Sequence, residues 1–324
     1  MKVLITGGAG FIGSHLAEAM LQAGHSVSVV DDLSTGSLEN IRHLLGRQAF
    51  QFVRDSVRNA STMSVLVDHC DVVFHLAAAV GVQLIADQPV RTIETNIHGS
   101  EVVLDLVNKF ARRTFVASTS EVYGKSTNVP FGEDDDSLFG ATRFTRWCYA
   151  CSKMVDEFLA LAYHEQYGLE SIIGRLFNTI GPRQTGAYGM VVPRFVRAAL
   201  GGEPLTVYGS GEQSRCFCNV ASVIEAMGEL IECDAAVGEV INIGAEESIS
   251  INDLAEKIIE MSGSSSKIRR LSYEEAYGRP FDDMLIRKPD LSKIRRLIGY
   301  EPKYSLEETL QQIIDHERAA MAAS

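Results

Sequence analysis

The chain has no long hydrophobic run. Its longest apolar stretches, such as residues 72–82, fall well short of the ~20 residues that a membrane-spanning helix needs, so no membrane segment is expected. It also has no excess of positive charge. The formal net charge is −12, which argues against nucleic acid, whose phosphates call for a basic face. A negatively charged small ligand remains open to it, because local arginines and helix N-termini bind anions inside acidic proteins. A secretory signal pattern is missing as well: residues 1–5 run straight into a glycine-rich turn, with no polar cleavage region. A cytoplasmic, reducing setting is therefore expected. Cysteine is sparse and wrongly spaced for a metal. Cys148-x-x-Cys151 has no second pair at zinc-like spacing and no flanking histidine set. Reduced, partly buried thiols are expected at Cys70, Cys148, Cys151, Cys216, Cys218 and Cys233, and no metal. Internal repeats and low-complexity tracts are absent.

What is present reads as an ordinary globular protein, with 46% hydrophobic and 22% charged residues. A length of 324 residues fits two fused domains at roughly 100–200 residues each. The first half alternates strand and helix. Apolar runs at 3–6, 26–30, 50–53, 72–76 and 114–118 predict buried parallel strands, and helical spacing predicts helices over 14–23 and about 95–110. Segments 171–178 and 239–243 predict two more strands of the same sheet. Such alternation implies an α/β fold with a Rossmann-type, doubly wound parallel sheet. Between 181 and 211 the chain is rich in Gly and Pro, with short segments only. Helices over 251–261 and 305–316 suggest a smaller C-terminal substrate domain. The expected division is a cofactor domain over 1–180, also taking in about 216–245, and a mainly substrate-binding domain over 181–324.

Two segments carry chemistry. Gly7-Gly8-Ala9-Gly10-Phe11-Ile12-Gly13 follows a strand and opens a helix. Glycines there permit a tight turn and close approach of a pyrophosphate, and the helix N-terminus offers it N–H groups and partial positive charge. Asp31 ends the next strand, where an acid accepts hydrogen bonds from an adenosine ribose. A carboxylate there repels a 2′-phosphate, so NAD is expected over NADP. The second segment is Tyr149-Ala150-Cys151-Ser152-Lys153, with tyrosine and lysine four apart on one helix face. A phenol ionises near pH 10; a neighbouring ammonium, together with the positive nicotinamide ring, is expected to favour phenolate and let Tyr149 take the proton of a sugar hydroxyl. Thr119, at the end of the 114–118 strand, is placed to hydrogen-bond the same substrate hydroxyl.

These motifs resemble the extended short-chain dehydrogenase/reductases that act on nucleotide-sugars. The resemblance runs through His75-Leu76-Ala77-Ala78, Asn96, Ser118-Thr119-Ser120-Glu121-Val122-Tyr123-Gly124, Arg175-Leu176-Phe177-Asn178, Gly181-Pro182-Arg183, Tyr208-Gly209-Ser210-Gly211 and Arg215, to Asp290-Leu291-Ser292-Lys293 and Gly299-Tyr300-Glu301-Pro302. It implies that NAD is held by Gly7, Gly10, Phe11, Ile12, Gly13, Asp31, Asp32, Asp55, Ser56, Leu76, Ala77, Ala78, Asn96, Tyr149 and Lys153. His75 would pack beneath the cofactor loop. It further implies a UDP-sugar held by Asn178, Arg183, Val192, Tyr208 and Arg215, and a homodimer built on helices near 95–110 and 149–167. Within the group, Thr119-Ser120-Glu121 and Arg146-Trp147 are most similar to UDP-glucuronate decarboxylases. The implied catalytic set is Thr119, Tyr149, Lys153, Glu121 and Ser120, with Ser120 and Arg215 at the carboxylate or diphosphate. A 4-epimerase or a 4,6-dehydratase is the alternative outcome of the same C4 oxidation, and a non-enzymatic NAD-binding sensor the remote one.

Overall fold

A computed structural model describes residues 1–278 and 282–322. The chain enters through β1 (Lys2–Thr6), α1 (Phe11–Gln22), β2 (Ser26–Val30), β3 (Phe50–Val53), α2 (Ala60–Asp68) and β4 (Val72–His75). It continues through α3 (Val82–Asp87), α4 (Pro89–Lys109), β5 (Arg113–Thr119), α5 (Arg146–Tyr167) and β6 (Ser171–Leu176). These six strands and the later strand Val240–Ile243 form one sheet, in the order Val240–Ile243, β6, β5, β4, β1, β2, β3. Every pairing in it is parallel.

Strand side chains alternate between faces, so a parallel sheet covered on both sides needs apolar residues throughout. Val3 and Ile5 of β1 pack on one face with Leu16 and Met20 of α1 and with Val223, Met227 and Leu230 of α7 (Val220–Glu232). Leu4 packs on the other face, with Val73, Val116, Ile173 and with Val103, Leu104 and Val107 of α4. Each such burial stabilises by about 1.5–3 kcal/mol. Gly174 in β6 is required by packing: a Cβ there would lie 2.2 Å from the Phe115 ring. A separate cluster joins Val192, Phe195 and Val196 of α6 (Val191–Leu200) to Leu205, Val207, Leu254, Ile258, Leu310 and Ile313.

Several boundaries differ from the sequence reading. Helix α1 starts at Phe11 rather than 14, directly from the extended Gly10. Helix α4 starts at Pro89, not 95, with proline in its first turn, where its missing N–H costs nothing. The 181–211 stretch contains α6, a full helix of 10 residues rather than short segments only. Its apolar spacing at 192, 195, 196 and 199 was readable, but Pro193 in the first turn hid it. The last helix runs to Ala322.

Among the described residues no helix is long and apolar enough to cross a membrane. No group of three or more His, Cys, Asp or Glu side chains among them could hold a metal ion. The six cysteines are unpaired, and burial pushes the Cys70 thiol up to about 12 and that of Cys218 to about 11.

Candidate active site

The strand ends of β1, β2, β4 and β5 open into one cleft, as expected where crossovers leave the carboxyl edge of a parallel sheet uncovered. Its floor is the glycine turn. Gly7 has φ +70°, and a Cβ on it would sit 2.9 Å from the Ala77 backbone. A Cβ on Gly13 would meet the Gly7 carbonyl oxygen at 2.4 Å. The bare turn thus lets the N-terminus of α1, which no side chain caps, face the cleft. Those free N–H groups suit a phosphate. Phe11, Ile12, Asp32, Asp55 and Ser56 line the same cleft, as do Leu76, Ala77 and Ala78.

Asp31 does more than end a strand. Its carboxylate accepts from the Ala9 N–H at 3.0 Å and the Leu33 N–H at 2.8 Å, so it braces the glycine turn. Burial raises its carboxyl, and the two backbone donors oppose that rise. Asn96 lies behind the cleft, not on it. It accepts from the Ala79 N–H at 2.8 Å and donates to the Ser152 hydroxyl at 3.0 Å, tying the loop after β4 to α5.

The opposite wall carries the reactive groups. β5 ends at Thr119, and a turn over Ser120–Tyr123 follows, with the Thr119 hydroxyl accepting from the Glu121 N–H at 3.2 Å. Helix α5 presents Tyr149 and Lys153 to the same space. The expected lowering of the Tyr149 pKa is not what the protein's own groups produce. Burial raises it, Glu121 adds to the rise, and the Thr119 hydroxyl and Arg287 pull the other way. Lys153 is otherwise engaged: its ammonium donates to Asp156 Oδ2 at 2.6 Å, with both side chains almost wholly buried.

Around Glu121 lies an arginine cluster that the sequence reading only half anticipated. Glu121 Oε1 accepts from Arg146 at 3.2 Å and from Arg287 at 3.4 Å. Arg287 also donates to the Ser120 hydroxyl at 3.4 Å. Asp283 receives Arg146 at 2.9 Å and Arg215 at 3.1 Å. Three guanidiniums thus meet two carboxylates, a surplus of one positive charge among the described residues. Burial, reinforced by Arg215, pushes Arg287 down to about 10. Glu121 Oε2 and Arg287 Nε are buried without a hydrogen-bond partner among the described residues. Desolvated charge of this kind calls for an anionic ligand with several acceptors. Arg287 is the residue the sequence reading missed. It reaches the site on the two-residue strand Ile286–Arg287, paired with Ser214–Cys216, and no local motif marks it.

The expected sugar and nucleotide contacts fare unevenly. Asn178 lines the cleft and donates to the Cys216 carbonyl at 3.3 Å. Arg183, at φ +68°, turns away and pairs with Glu18 of α1 at 2.7 Å; Gln184 and Thr185 take the lining positions. Val192 has no exposed surface and packs in the α6 core. Tyr208 lies outside the cleft, with the Arg194 guanidinium 4.1 Å from its ring centre and Tyr277 edge-on to it. Arg215 stands behind Asp283 rather than on the cleft wall.

Comparison with known proteins bears on this arrangement. Residues 4–313 match the model of a family described as GDP-mannose 4,6 dehydratase. A UDP-N-acetyl-alpha-D-glucosaminuronate decarboxylase of Bacillus cytotoxicus is 43% identical over 314 residues, covering 97% of this chain and 96% of that one. UDP-glucuronic acid decarboxylase 1 of Xenopus tropicalis is 37% identical, over 98% of this chain and 72% of that one. Among solved structures, a UDP-glucuronic acid 4-epimerase from Bacillus cereus, in complex with UDP-glucuronic acid and NAD, superposes with a TM-score of 0.88. It is 30% identical over 99% of this chain and 100% of that one.

Proposed function

Since the chain belongs to the GDP-mannose 4,6 dehydratase family, we propose that it is an NAD-dependent decarboxylase of a UDP-linked uronic acid, with UDP-glucuronate as substrate. The carrying observation is Arg287, which lines the cleft with Tyr149, Ser120 and Glu121 and belongs to a cluster with one more guanidinium than carboxylates among the described residues. The diphosphate of any UDP-sugar can use part of that charge; Arg287, on the cleft and donating to Ser120, is the guanidinium placed for a C6 carboxylate.

The glycine turn and Asp31 fit NAD: the turn leaves no room for side chains where a pyrophosphate would approach, and Asp31 is a ready acceptor for a ribose hydroxyl. Leu76–Ala78 and Lys153 would complete its seat. When bound, NAD accepts hydride from C4 of the sugar and can return it. Tyr149 takes the proton of the C4 hydroxyl, and Thr119 orients that hydroxyl by a hydrogen bond. The resulting β-keto acid loses carbon dioxide: the C5–C6 bond breaks, and its electron pair passes toward the C4 carbonyl. Arg287 and Ser120 hold the carboxylate until it leaves. Glu121, its Oε2 without a partner, manages the proton that C5 then takes up.

A second reading concerns the substituent at C2. The Bacillus cytotoxicus relative, at 43% identity, favours an acetamido uronate. Purified protein with NAD would be offered UDP-glucuronate, its 2-acetamido analogue and UDP-glucose in turn, and the products weighed by mass spectrometry. Loss of carbon dioxide is the expected result, and the faster uronate identifies the C2 substituent. An unchanged mass with a new chromatographic isomer would make the protein a 4-epimerase instead. NAD should raise the melting temperature more than NADP does, because Asp31 repels a 2′-phosphate; equal shifts would sink the cofactor assignment.

The subunit is proposed to dimerise through α4 and α5. These helices leave Val90, Ile93, Val155 and Phe158 exposed, the last at 65%. A cytoplasmic location and a division into an NAD half and a smaller sugar half follow from the same reading.

A further inference from the structure

Helix α5 buries two successive acids. Glu157 is matched by Arg175, which donates to both its oxygens, and it also accepts from the Ser118 hydroxyl. Asp156, one residue earlier and 1% exposed, faces the other way, onto Lys153. The reaction written above gives it no role.

Behind Asp156 runs a chain of buried polar groups whose direction can be worked out. The Thr6 hydroxyl accepts from the Leu76 and Ala77 N–H groups, each at 3.1 Å. A hydroxyl has two lone pairs and one proton, so its proton goes to His75 Nδ1, at 2.8 Å. The proton of the neutral imidazole is then on Nε2, which donates to the Ser100 hydroxyl at 3.1 Å. Burial and the nearby Lys153 hold His75 neutral, its pKa pushed down to about 3. The chain stops at Ser100: Asp156 Oδ2 receives the Lys153 ammonium and its Oδ1 has no hydrogen-bond partner among the described residues, so with His75 neutral Lys153 is the cation beside the carboxylate. Thr6, His75 and Ser100 are each no more than 1% exposed, so water does not compete.

We propose that Asp156 is a positioning residue, which through its buried ion pair fixes the Lys153 ammonium and thereby sets how readily Tyr149 gives up its proton. The inference rests on Tyr149 being the base of the proposed reaction. The charged groups facing Tyr149 are Glu121 from the turn after β5, Arg287 from the Ile286–Arg287 strand, and Asp156 from its own helix. Lys153 lies between Tyr149 and Asp156 in sequence; Glu157 adds negative charge near Asp156 but is tied to Arg175. Of these, Asp156 opposes the phenolate both by its own charge and by holding the lysine's.

The test uses the NAD complex of the full chain. Tyrosinate is followed by ultraviolet difference absorbance, with Tyr149→Phe as the blank, and the pH profile of kcat is recorded alongside. Asp156→Asn should yield about tenfold more tyrosinate at a given pH, a displacement of about one unit toward acid. Asp156→Glu keeps a carboxylate for the ammonium, so its profile should stay close to that of the wild type. An unmoved Asp156→Asn profile, or an Asp156→Glu profile displaced as far as that of Asp156→Asn, would overturn the proposal. If Asp156→Asn does not fold, Asp156→Ser, which removes the same charge, takes its place. If the wild type decarboxylates no uronate, the functional reading fails, while the tyrosinate titration still decides this one.

Discussion

Replacing Tyr149 with phenylalanine is expected to cut turnover by roughly 10²–10⁴-fold, the range that a positioned general base contributes. The change deletes one hydroxyl from a ring that is 7% exposed, so the fold has little reason to respond. With NAD seated, as proposed, mainly on the glycine turn and Asp31 across the cleft, the cofactor's effect on melting temperature should persist. Steady-state rates and melting curves measured on one preparation test both halves of this statement. Full activity in the variant would move the base elsewhere. The raised pKa of Tyr149 sharpens the expectation. A phenol that the protein alone keeps protonated depends on what binds beside it to become a base, so the wild type should be most active in the upper part of its stable pH range.

Glu121→Gln is expected to slow decarboxylation by roughly 10²-fold or more if this acid moves the C5 proton. The binding constant should move the other way. Glu121 now sits between Arg146 and Arg287, and removing its charge raises the local surplus from one positive charge to two among the described residues. A uronate should then bind more tightly, so KM falls together with kcat. A 4-epimerase would keep its kcat, because its chemistry stays at C4, even where a uronate substrate lowers its KM. Separate measurement of kcat and KM distinguishes the two cases.

Legibility of the site in the sequence followed the range of the interactions that build it. Gly7 to Gly13 is one turn between a strand and a helix, and Tyr149 with Lys153 is one turn of α5, so local spacing suffices for both. Thr119 was found because it ends β5. Arg287 arrives from 166 residues beyond Glu121 through a two-residue pairing, and nothing around it has a period. Arg183 and Val192 show the converse error. Their residue types and neighbours suit a ligand, but one side chain turns to Glu18 and the other into the α6 core. Asp156 has a local signal, three residues after Lys153, but its burial depends on the packing of α5 against α4, far apart in sequence.

The strand order of the main sheet decides what can be inherited as a piece. A chain cut at residue 180 would retain every glycine of the turn, Glu121 and the whole of Tyr149-x-x-x-Lys153, but not Asp283. It would lose Val240–Ile243, leaving β6 as a raw edge, and it would lose α7 from the face that covers α1. Exposed edges of that kind pair with other chains. Any rearrangement that carries residues 1–180 into a new protein must bring residues 220–243 with them, and the residues between come along. In this architecture the two halves travel together or not at all.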